Sequence, residues 1–107
     1  MIEVSKGDWK KFREIVPEWQ ERYMAKLNKE YIKILSQDKN ASANFWELAD
    51  RIKKDQKSPG VIIEYHKQDV FFDVIRFFKD GVITDEDLAD FSDDFRDTIK
   101  ELKKRFI

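Results

Sequence analysis

The stretch Val70-Phe71-Phe72-Asp73-Val74-Ile75-Arg76-Phe77-Phe78-Lys79 has apolar residues at seven of its first nine positions. At about 3.6 residues per turn, these side chains cover most of a helix circumference. A helix that is apolar on most sides has to be surrounded, so we predict a central helix over about residues 68–79. Gly81 follows at the position where a left-handed residue usually ends a helix. A charge at Phe78 should then be among the most damaging single changes.

The segment after Thr84 has apolar residues at helical spacing almost to the end of the chain. Thr84 can cap a helix, and Asp87 lies at the position of a capping-box partner. The apolar positions recur every three or four residues and are Leu88, Phe91, Phe95, Ile99, Leu102 and Phe106. This pattern predicts one long amphipathic helix over about residues 85–105, with Ser92 inside it.

The first block of the chain, from Asp8 to about Ser36, shows the same spacing. Its apolar positions are Trp9, Phe12, Val16, Trp19, Tyr23, Leu27, Tyr31 and Ile34. Asp8 is a suitable N-cap. Pro17 lies within the pattern and removes one backbone hydrogen bond. Either one helix bends at Pro17, or a short helix over 8–16 meets a longer one that begins at the proline, which we favour.

A shorter helix is predicted after the polar loop over residues 37–41. Ser42 or Asn44 can cap it, and the spacing from Asn44 to Glu47 fits a capping box. Its apolar face consists of Phe45, Leu48, Ala49 and Ile52. The helix should end at Ser58-Pro59-Gly60.

Residues 61–65, Val-Ile-Ile-Glu-Tyr, fit either a short helix or an extended segment. No second strand-like run is present to pair with a strand here, so we favour a short helix that begins at Pro59. The sequence therefore predicts an all-α fold, a compact bundle of five to six helices that forms one domain over residues 1–107.

The composition argues against several functional classes. The 107 residues include 21 basic and 22 acidic side chains, so no net field draws the protein to nucleic acid or to a membrane. The absence of cysteine excludes disulfides, cysteine zinc sites and thiol nucleophiles. We find neither a signal peptide nor an apolar run long enough to cross a bilayer. We therefore expect a cytoplasmic protein with no membrane partner.

The segment from Lys79 to Leu88 resembles the second half of an EF-hand calcium loop. With Gly81 at the sixth loop position, Arg76 and Phe78 occupy the first and third positions, where calcium requires oxygen ligands. Neither side chain offers one. We interpret Gly81 and Thr84 as the end of one helix and the start of the next.

Two further features could carry chemistry, an acidic run and a histidine. Seven carboxylates lie between residues 85 and 97, ahead of the basic last turns, which is the order that the helix dipole favours. His66 is the only histidine, and no second histidine, cysteine or glycine-rich phosphate loop accompanies it. We expect no enzyme, no cofactor, no metal site and no small-molecule substrate.

Four short stretches carry a resemblance to a known family: Ile15–Tyr23, Phe45–Leu48, Pro59–Ile63 and Asp80–Thr84. In these the chain resembles a small uncharacterised family of helical proteins from Gram-positive bacteria, sometimes labelled "multidrug transporter". The label does not suit a chain without a segment able to span a bilayer. The last third is more distantly similar to small helical domains that accompany PadR-type repressors. The resemblance implies a bacterial, cytoplasmic protein of unknown function, with no catalytic residues to transfer.

Two aromatic side chains do not fit the predicted apolar faces. Trp46 points about 110° away from the centre of its helix's apolar face, and Phe72 lies on the polar side of the central helix. Each ring either packs under another helix or is exposed. If exposed, Trp46 and the basic run that contains Arg51, Lys53 and Lys54 form a contact patch, because Trp and Arg are enriched at the energetic centres of interfaces.

The function predicted from these features is a protein-interaction or self-associating module. Its partner is another protein or a second copy of the chain, and the candidate interface residues are Trp46, Arg51, Lys53, Lys54 and Phe72. The alternative is a nucleic-acid-associated regulator that uses the basic ends of two helices. Nucleic acid is the less favoured partner because the acidic start of the last predicted helix would repel phosphates.

Overall fold

The computed structural model describes residues 3–107, in which four α-helices follow one another along the chain. They are α1 (Lys6–Leu35), α2 (Ala41–Asp55), α3 (Val70–Lys79) and α4 (Asp93–Phe106), with short 3₁₀ turns at Lys67–Asp69 and Asp85–Leu88. No residue of the described range belongs to a strand. The all-α prediction is confirmed. The predicted number of five to six helices is too high, because the first block forms one undivided helix and the segment after Pro59 is not helical.

Helix α1 continues through Pro17, so the favoured division into two helices is wrong. Phe12, Val16 and Trp19, on both sides of the proline, are almost completely buried in one core. A proline inside a helix costs about 3 kcal/mol, which the burial of these three large side chains outweighs. Pro17 itself lies on the exposed side of the helix, where water can satisfy the carbonyl group that has lost its partner.

The start of α1 also differs from the prediction. Its N-cap is Ser5, whose Oγ accepts the backbone N–H of Asp8 at 3.1 Å. Asp8 therefore lies in the first turn, where a carboxylate suits the positive end of the helix dipole. It is buried there and faces α4.

Helix α2 begins earlier than predicted, after Asn40. The capping box between Asn44 and Glu47 is wrong, because the Asn44 side chain turns back to α1. Its Nδ2 donates to the carbonyl oxygens of Leu35 at 3.4 Å and Gln37 at 3.0 Å. Asn44 thus satisfies carbonyl groups at the end of the preceding helix rather than amides at the start of its own.

The segment after α2 is irregular, so the favoured helix beginning at Pro59 is wrong. The N–H groups of Val61 and Ile62 both donate to the Ser58 carbonyl oxygen at 3.0 Å, which forms a single turn. Residues 62–66 then run on without regular structure. Tertiary contacts hold this segment, among them the Tyr65 ring at 6.1 Å from the Phe12 ring.

Helix α3 lies in the middle of the main core, as predicted. Its buried apolar side chains are Val70, Phe71, Val74, Ile75 and Phe77. Phe77 is completely buried, whereas Phe78 is only partly buried under the Lys103 ammonium group, 4.2 Å from the ring centroid. The innermost residue is therefore Phe77 rather than Phe78.

The predicted helix stop at Gly81 is confirmed. Gly81 has a φ of 71°, the left-handed region that favours glycine. Its N–H donates to the Phe78 carbonyl oxygen, and the N–H of Val82 donates to that of Phe77. These two bonds are the Schellman pattern that satisfies the last carbonyl groups of α3.

The long helix predicted over residues 85–105 is wrong, because Ser92 divides it. Thr84 and Asp87 form the predicted capping box, but the helix they start is only a 3₁₀ turn. The chain then turns, and Ser92 caps α4 by accepting the N–H of Phe95 at 3.2 Å. The Asp8 carboxylate binds Ser92 from the other side. The apolar spacing survives this break, since the residues on both sides face the same core.

The molecule is elongated, with extents of 52 × 27 × 23 Å. Its main core lies along the first two thirds of α1, where the chain from α3 to α4 packs on that helix. Helix α2 packs mainly against the last part of α1. Asn44 is the one buried residue of α2, and Phe45 is exposed although the sequence placed that ring on the packed face. In the main core, α1 is therefore covered by the chain from α3 to α4, whereas the last part of α1 is covered by α2 alone.

Candidate interaction surface

The hairpin of α1 and α2 is held together by polar contacts on the side that carries Arg51. This guanidinium group donates to Glu30 Oε1 at 2.8 Å and to Asp55 Oδ2 at 3.0 Å. The Tyr31 hydroxyl donates to the same Asp55 oxygen at 2.6 Å. Arg51, a predicted interface residue, is thus engaged within the chain and fixes α2 against α1.

The environment of Tyr31 shows that the centre of the hairpin is partly shielded from water. Burial, and after it the hydrogen bond to the Asp55 carboxylate, raise the pKa of Tyr31 to about 12. The Arg51 guanidinium also lies 5.8 Å from the centroid of the Tyr31 ring. The two helices therefore form a firm pair with a defined orientation.

One broad side of the hairpin is densely charged. On α1, the exposed side chains at helical spacing are Lys26, Lys29 and Lys33. They line a shallow groove together with Glu30 and Arg51. Such a face is well solvated in the monomer, and nothing about it requires a partner.

The opposite broad side is uncharged, although 40% of the residues in the chain are charged. We call it the uncharged hairpin face. Its residues follow the three-and-four spacing of a helix side and are Met24, Asn28, Ile32 and Leu35 on α1, Phe45, Ala49 and Ile52 on α2, and Gln56 at the C-cap of α2. Met24, Asn28, Ile52 and Gln56 line a groove between the two helices, together with Asp55, whose carboxylate is held by Tyr31 and Arg51. A surface of this kind marks a contact site in a soluble protein.

The most exposed large side chains of this region lie in the half of the hairpin that is nearer the α1–α2 loop. Ile32 and Trp46 are each 63% exposed and Phe45 is 60% exposed. The Trp46 and Phe45 rings contact each other edge to face, with centroids 5.0 Å apart. Trp46 thus stands at the edge of the uncharged hairpin face and covers part of Phe45. Of the two alternatives for this ring, the structure shows the exposed one.

The remaining predicted interface residues are not gathered at one place. Lys53 follows Trp46 by seven residues, two helical turns, and shares its edge of α2, whereas Lys54 lies on the charged side. Phe72 is 54% exposed and packs against Phe106 of α4, with ring centroids 5.9 Å apart. The structure therefore brings together Trp46 and Lys53 and leaves Phe72 in a separate apolar patch.

Sequence reasoning missed three residues of the uncharged hairpin face: Ile32, Leu35 and Phe45. A signal for two of them was present, because Ile32 and Leu35 lie off the main apolar stripe of α1, as Trp46 lies off that of α2. Phe45 carried no such signal. Its exposure follows from the number of helices that pack on α2, which the spacing of apolar residues does not reveal.

The other candidate groups show ordinary structural contacts. His66 is exposed, and its Nε2 lies 3.1 Å from Glu64. Three of the clustered carboxylates are paired with cations, Asp85 with Lys103, Asp87 with Arg22 and Asp93 with Arg96. Over residues 3–107, no group of three or more His, Asp or Glu side chains is placed to hold a metal ion.

The comparisons with known proteins yield no relative. No model of a protein family, no curated protein and no solved structure matches this chain. Within the described part of the chain, none of the helices is both long and apolar enough to span a membrane. The resemblance to the Gram-positive helical family stays a prediction.

Proposed function

We propose that this chain is a protein-interaction module whose contact surface is the uncharged hairpin face with Trp46 at its edge. The observation that supports this most is the contrast between the two broad sides of one hairpin. One side carries lysines and ion pairs, whereas the other exposes Ile32, Phe45 and Trp46 without a charged residue between them. Exposed aromatic rings with few charges are typical of the centres of protein interfaces.

The arrangement also separates binding from folding. Phe45 and Trp46 lie outside the main core, which consists of buried residues of α1, α3, α4 and the segments between them. Arg51 and Asn44 fix α2 without help from the exposed rings. A partner would therefore find the hairpin preformed, which lowers the entropic cost of association.

A double substitution, Phe45→Ser with Trp46→Ser, tests this function. Tagged wild type and variant are expressed in the native host, and the proteins that co-purify are identified and then titrated directly by calorimetry. We expect a partner, another protein or a second copy, that binds the wild type and binds the variant at least tenfold more weakly. Phe72→Ser, which removes an equally exposed ring from the separate patch, is the matched control. Equal binding to wild type and double variant would overturn the proposal.

A second candidate function rests on the opposite side of the hairpin. Lys26, Lys29 and Lys33 recur on one side of α1, and a row of cations can follow a phosphate backbone. Fluorescence anisotropy with random-sequence duplex DNA at low and moderate salt tests it. Binding that weakens steeply with salt and is lost in the variant Lys26→Glu/Lys29→Glu would favour a nucleic-acid role, and no binding at low salt would exclude it.

A further inference from the structure

We infer that the occupant of the uncharged hairpin face is a second copy of this chain, with its α2 antiparallel to the first α2 across a two-fold axis near Ala49. This inference rests on the proposed function and names its partner. In such a dimer the same surface of both copies forms the interface, so the surface has to be complementary to itself. The positions on α2 meet this condition.

The apolar residues of α2 are arranged almost symmetrically about Ala49. Phe45 precedes it by four residues and Ile52 follows it by three, so all three share one side of the helix. When two such helices pack antiparallel, Phe45 of each copy meets Ile52 of the other. The small Ala49 at the centre lets the two helix backbones approach closely.

Helix α1 continues the same symmetry. Asn44 bonds the Leu35 carbonyl oxygen and Arg51 bonds Glu30, so the level of Ala49 on α2 corresponds to about Ile32 on α1. An axis that crosses the hairpin at Ala49 therefore also brings Ile32 of the two copies together. Two hairpins stacked in this way form a four-helix arrangement, the usual means of covering an apolar hairpin side.

The exposed apolar area is compatible with a dimer interface. The exposed parts of Ile32, Leu35, Phe45, Trp46 and Ile52 together amount to roughly 500 Å², in the upper part of the about 300–600 Å² that the largest apolar patch of a monomer covers, and patches of this size are often contact sites. With the polar residues around them, such as Asn28 and Gln56, the surface approaches the about 800 Å² per partner of a standard interface.

The charges at the edge of this surface also favour a second copy. Asp55 lines the groove of this face, but its carboxylate is only 11% exposed and is bound by Arg51 and the Tyr31 hydroxyl, so no free like charges meet at the axis. Trp46 and Lys53 lie on one edge of α2, before and after Ala49. Antiparallel packing therefore places Lys53 of each copy beside the Trp46 ring of the other, a favourable cation–aromatic contact.

Sedimentation equilibrium with Ala49→Asp tests the inference. We expect the wild type to reach a mass of twice 12.9 kDa at micromolar concentration. Ala49→Asp places two carboxylates at the axis and should weaken dimerisation at least 100-fold. The matched control is Ala43→Asp, the same substitution on the opposite, exposed side of α2, which should dimerise as the wild type does. Thermal melts of both variants in dilute solution check that the monomer fold is retained.

A disulfide test gives a second, independent result. The chain has no cysteine, so Ala49→Cys introduces a single thiol, which an axis at this position brings next to its own copy. We expect Ala49→Cys to form a covalent dimer under mild oxidation and Ala43→Cys to stay monomeric.

The outcomes also separate this inference from the proposed function. A monomeric wild type that still binds another protein through Trp46 would overturn the inference that the occupant is a second copy and would leave the proposed function intact. A wild type that neither dimerises nor binds a partner through this face would overturn both. A dimer unaffected by Ala49→Asp would contradict the inferred axis.

Discussion

The Asp8 carboxylate binds Ser92, 84 residues further along the chain, through both of its oxygens. Oδ1 accepts the Ser92 backbone N–H at 3.0 Å, and Oδ2 accepts the Ser92 hydroxyl at 2.6 Å. The same Oδ2 accepts the Ser5 hydroxyl at 3.0 Å. Asp8 therefore joins the first turn of α1 to the first turn of α4, and both helices depend on it for their starting geometry.

Asp8→Ala should be one of the most destabilising polar substitutions in the protein. It removes the acceptor of the Ser92 N–H and of two hydroxyl groups, and because Ser5 and Ser92 are exposed, water replaces part of what is lost, so the cost is about 1–3 kcal/mol of unfolding free energy. Urea denaturation measures the loss. Asp90→Ala removes an exposed carboxylate of the same region and should change the free energy by less than about 0.5 kcal/mol. Equal stability of the two variants would contradict the role of Asp8.

The lowered pKa of Asp8 leads us to expect that the protein loses stability in acid. Burial acts to raise its pKa, but the hydrogen bonds from Ser92 and Ser5 and the charge of Lys11 outweigh burial and hold the pKa below 3.8. Because the folded pKa is the lower one, the stabilisation is present above the unfolded pKa and disappears as the pH falls through the folded value. Wild-type stability should drop below about pH 4, and the drop should be smaller in Asp8→Ala.

Asp73 should lower the stability of the fold as the pH rises, whereas Asp8 lowers it as the pH falls. It is buried on α3, its Oδ2 has no hydrogen-bond partner, and Arg76 reaches its Oδ1 only at 3.5 Å. Burial raises the pKa of Asp73 to about 6, against the opposing charge of Arg76 and with the support of nearby Asp69. A raised folded pKa means that stability is fully present below the unfolded value of 3.8 and is lost as the pH rises through about 6.

Asp73→Asn should therefore stabilise the protein at pH 7.5 by about 1–2 kcal/mol and flatten the stability profile between pH 4 and 7. The free energy of unfolding is measured at several pH values for wild type and variant. Asp38→Asn, which neutralises an exposed carboxylate in the α1–α2 loop, is the control and should keep the wild-type profile. A steep dependence that persists in Asp73→Asn would show that another group titrates.

Core substitutions on α3 should rank Phe77 above Phe78. Phe77 is completely buried between the rings of Phe12 and Trp19, so Phe77→Ala should cost about 3–5 kcal/mol. Phe78→Asp should cost less than Phe77→Asp, because the Lys103 ammonium group lies over that position and can pair with the new carboxylate. Thermal or urea denaturation of the three variants gives the order.

The features that could be predicted from the sequence are those that neighbouring residues determine. Gly81 ends α3 because a left-handed residue is needed there, and Thr84 with Asp87 forms a box within four residues. The break at Ser92 could not be foreseen, because it depends on Asp8 at the other end of the chain. Local spacing alone favoured an unbroken helix.

The exposed residues of the candidate surface also depend on packing that the local sequence does not determine. Trp46 could be identified because it lies off the apolar side of its own helix. Phe45 could not, since an apolar side chain on an amphipathic helix is buried only where another helix covers it. Pro17 is the converse case, where packing of Val16 and Trp19 outweighs a local preference that favoured a helix boundary.

The three glycines have different roles, and two of them provide a matched pair of substitutions. Gly60 is buried where the chain crosses α1, and a Cβ atom there would lie 2.4 Å from Tyr23 Cδ2 and 2.9 Å from Val82 Cγ2. The backbone cannot easily withdraw, because Gln20 Nε2 donates to the Pro59 carbonyl oxygen at 3.0 Å. Gly7, in the first turn of α1, has no atom within 4 Å of the same position.

Gly60→Ala should therefore destabilise the protein by about 1–3 kcal/mol, because the Tyr23 ring or the backbone has to move. Gly7→Ala should stabilise it by up to about 0.5–1 kcal/mol, since alanine loses less conformational entropy in a helix. Urea midpoints at an unchanged m-value measure both. The same substitution should thus change the free energy of unfolding in opposite directions at the two positions. A Gly60→Ala protein as stable as the wild type would mean that the segment before residue 61 does not pack closely against α1.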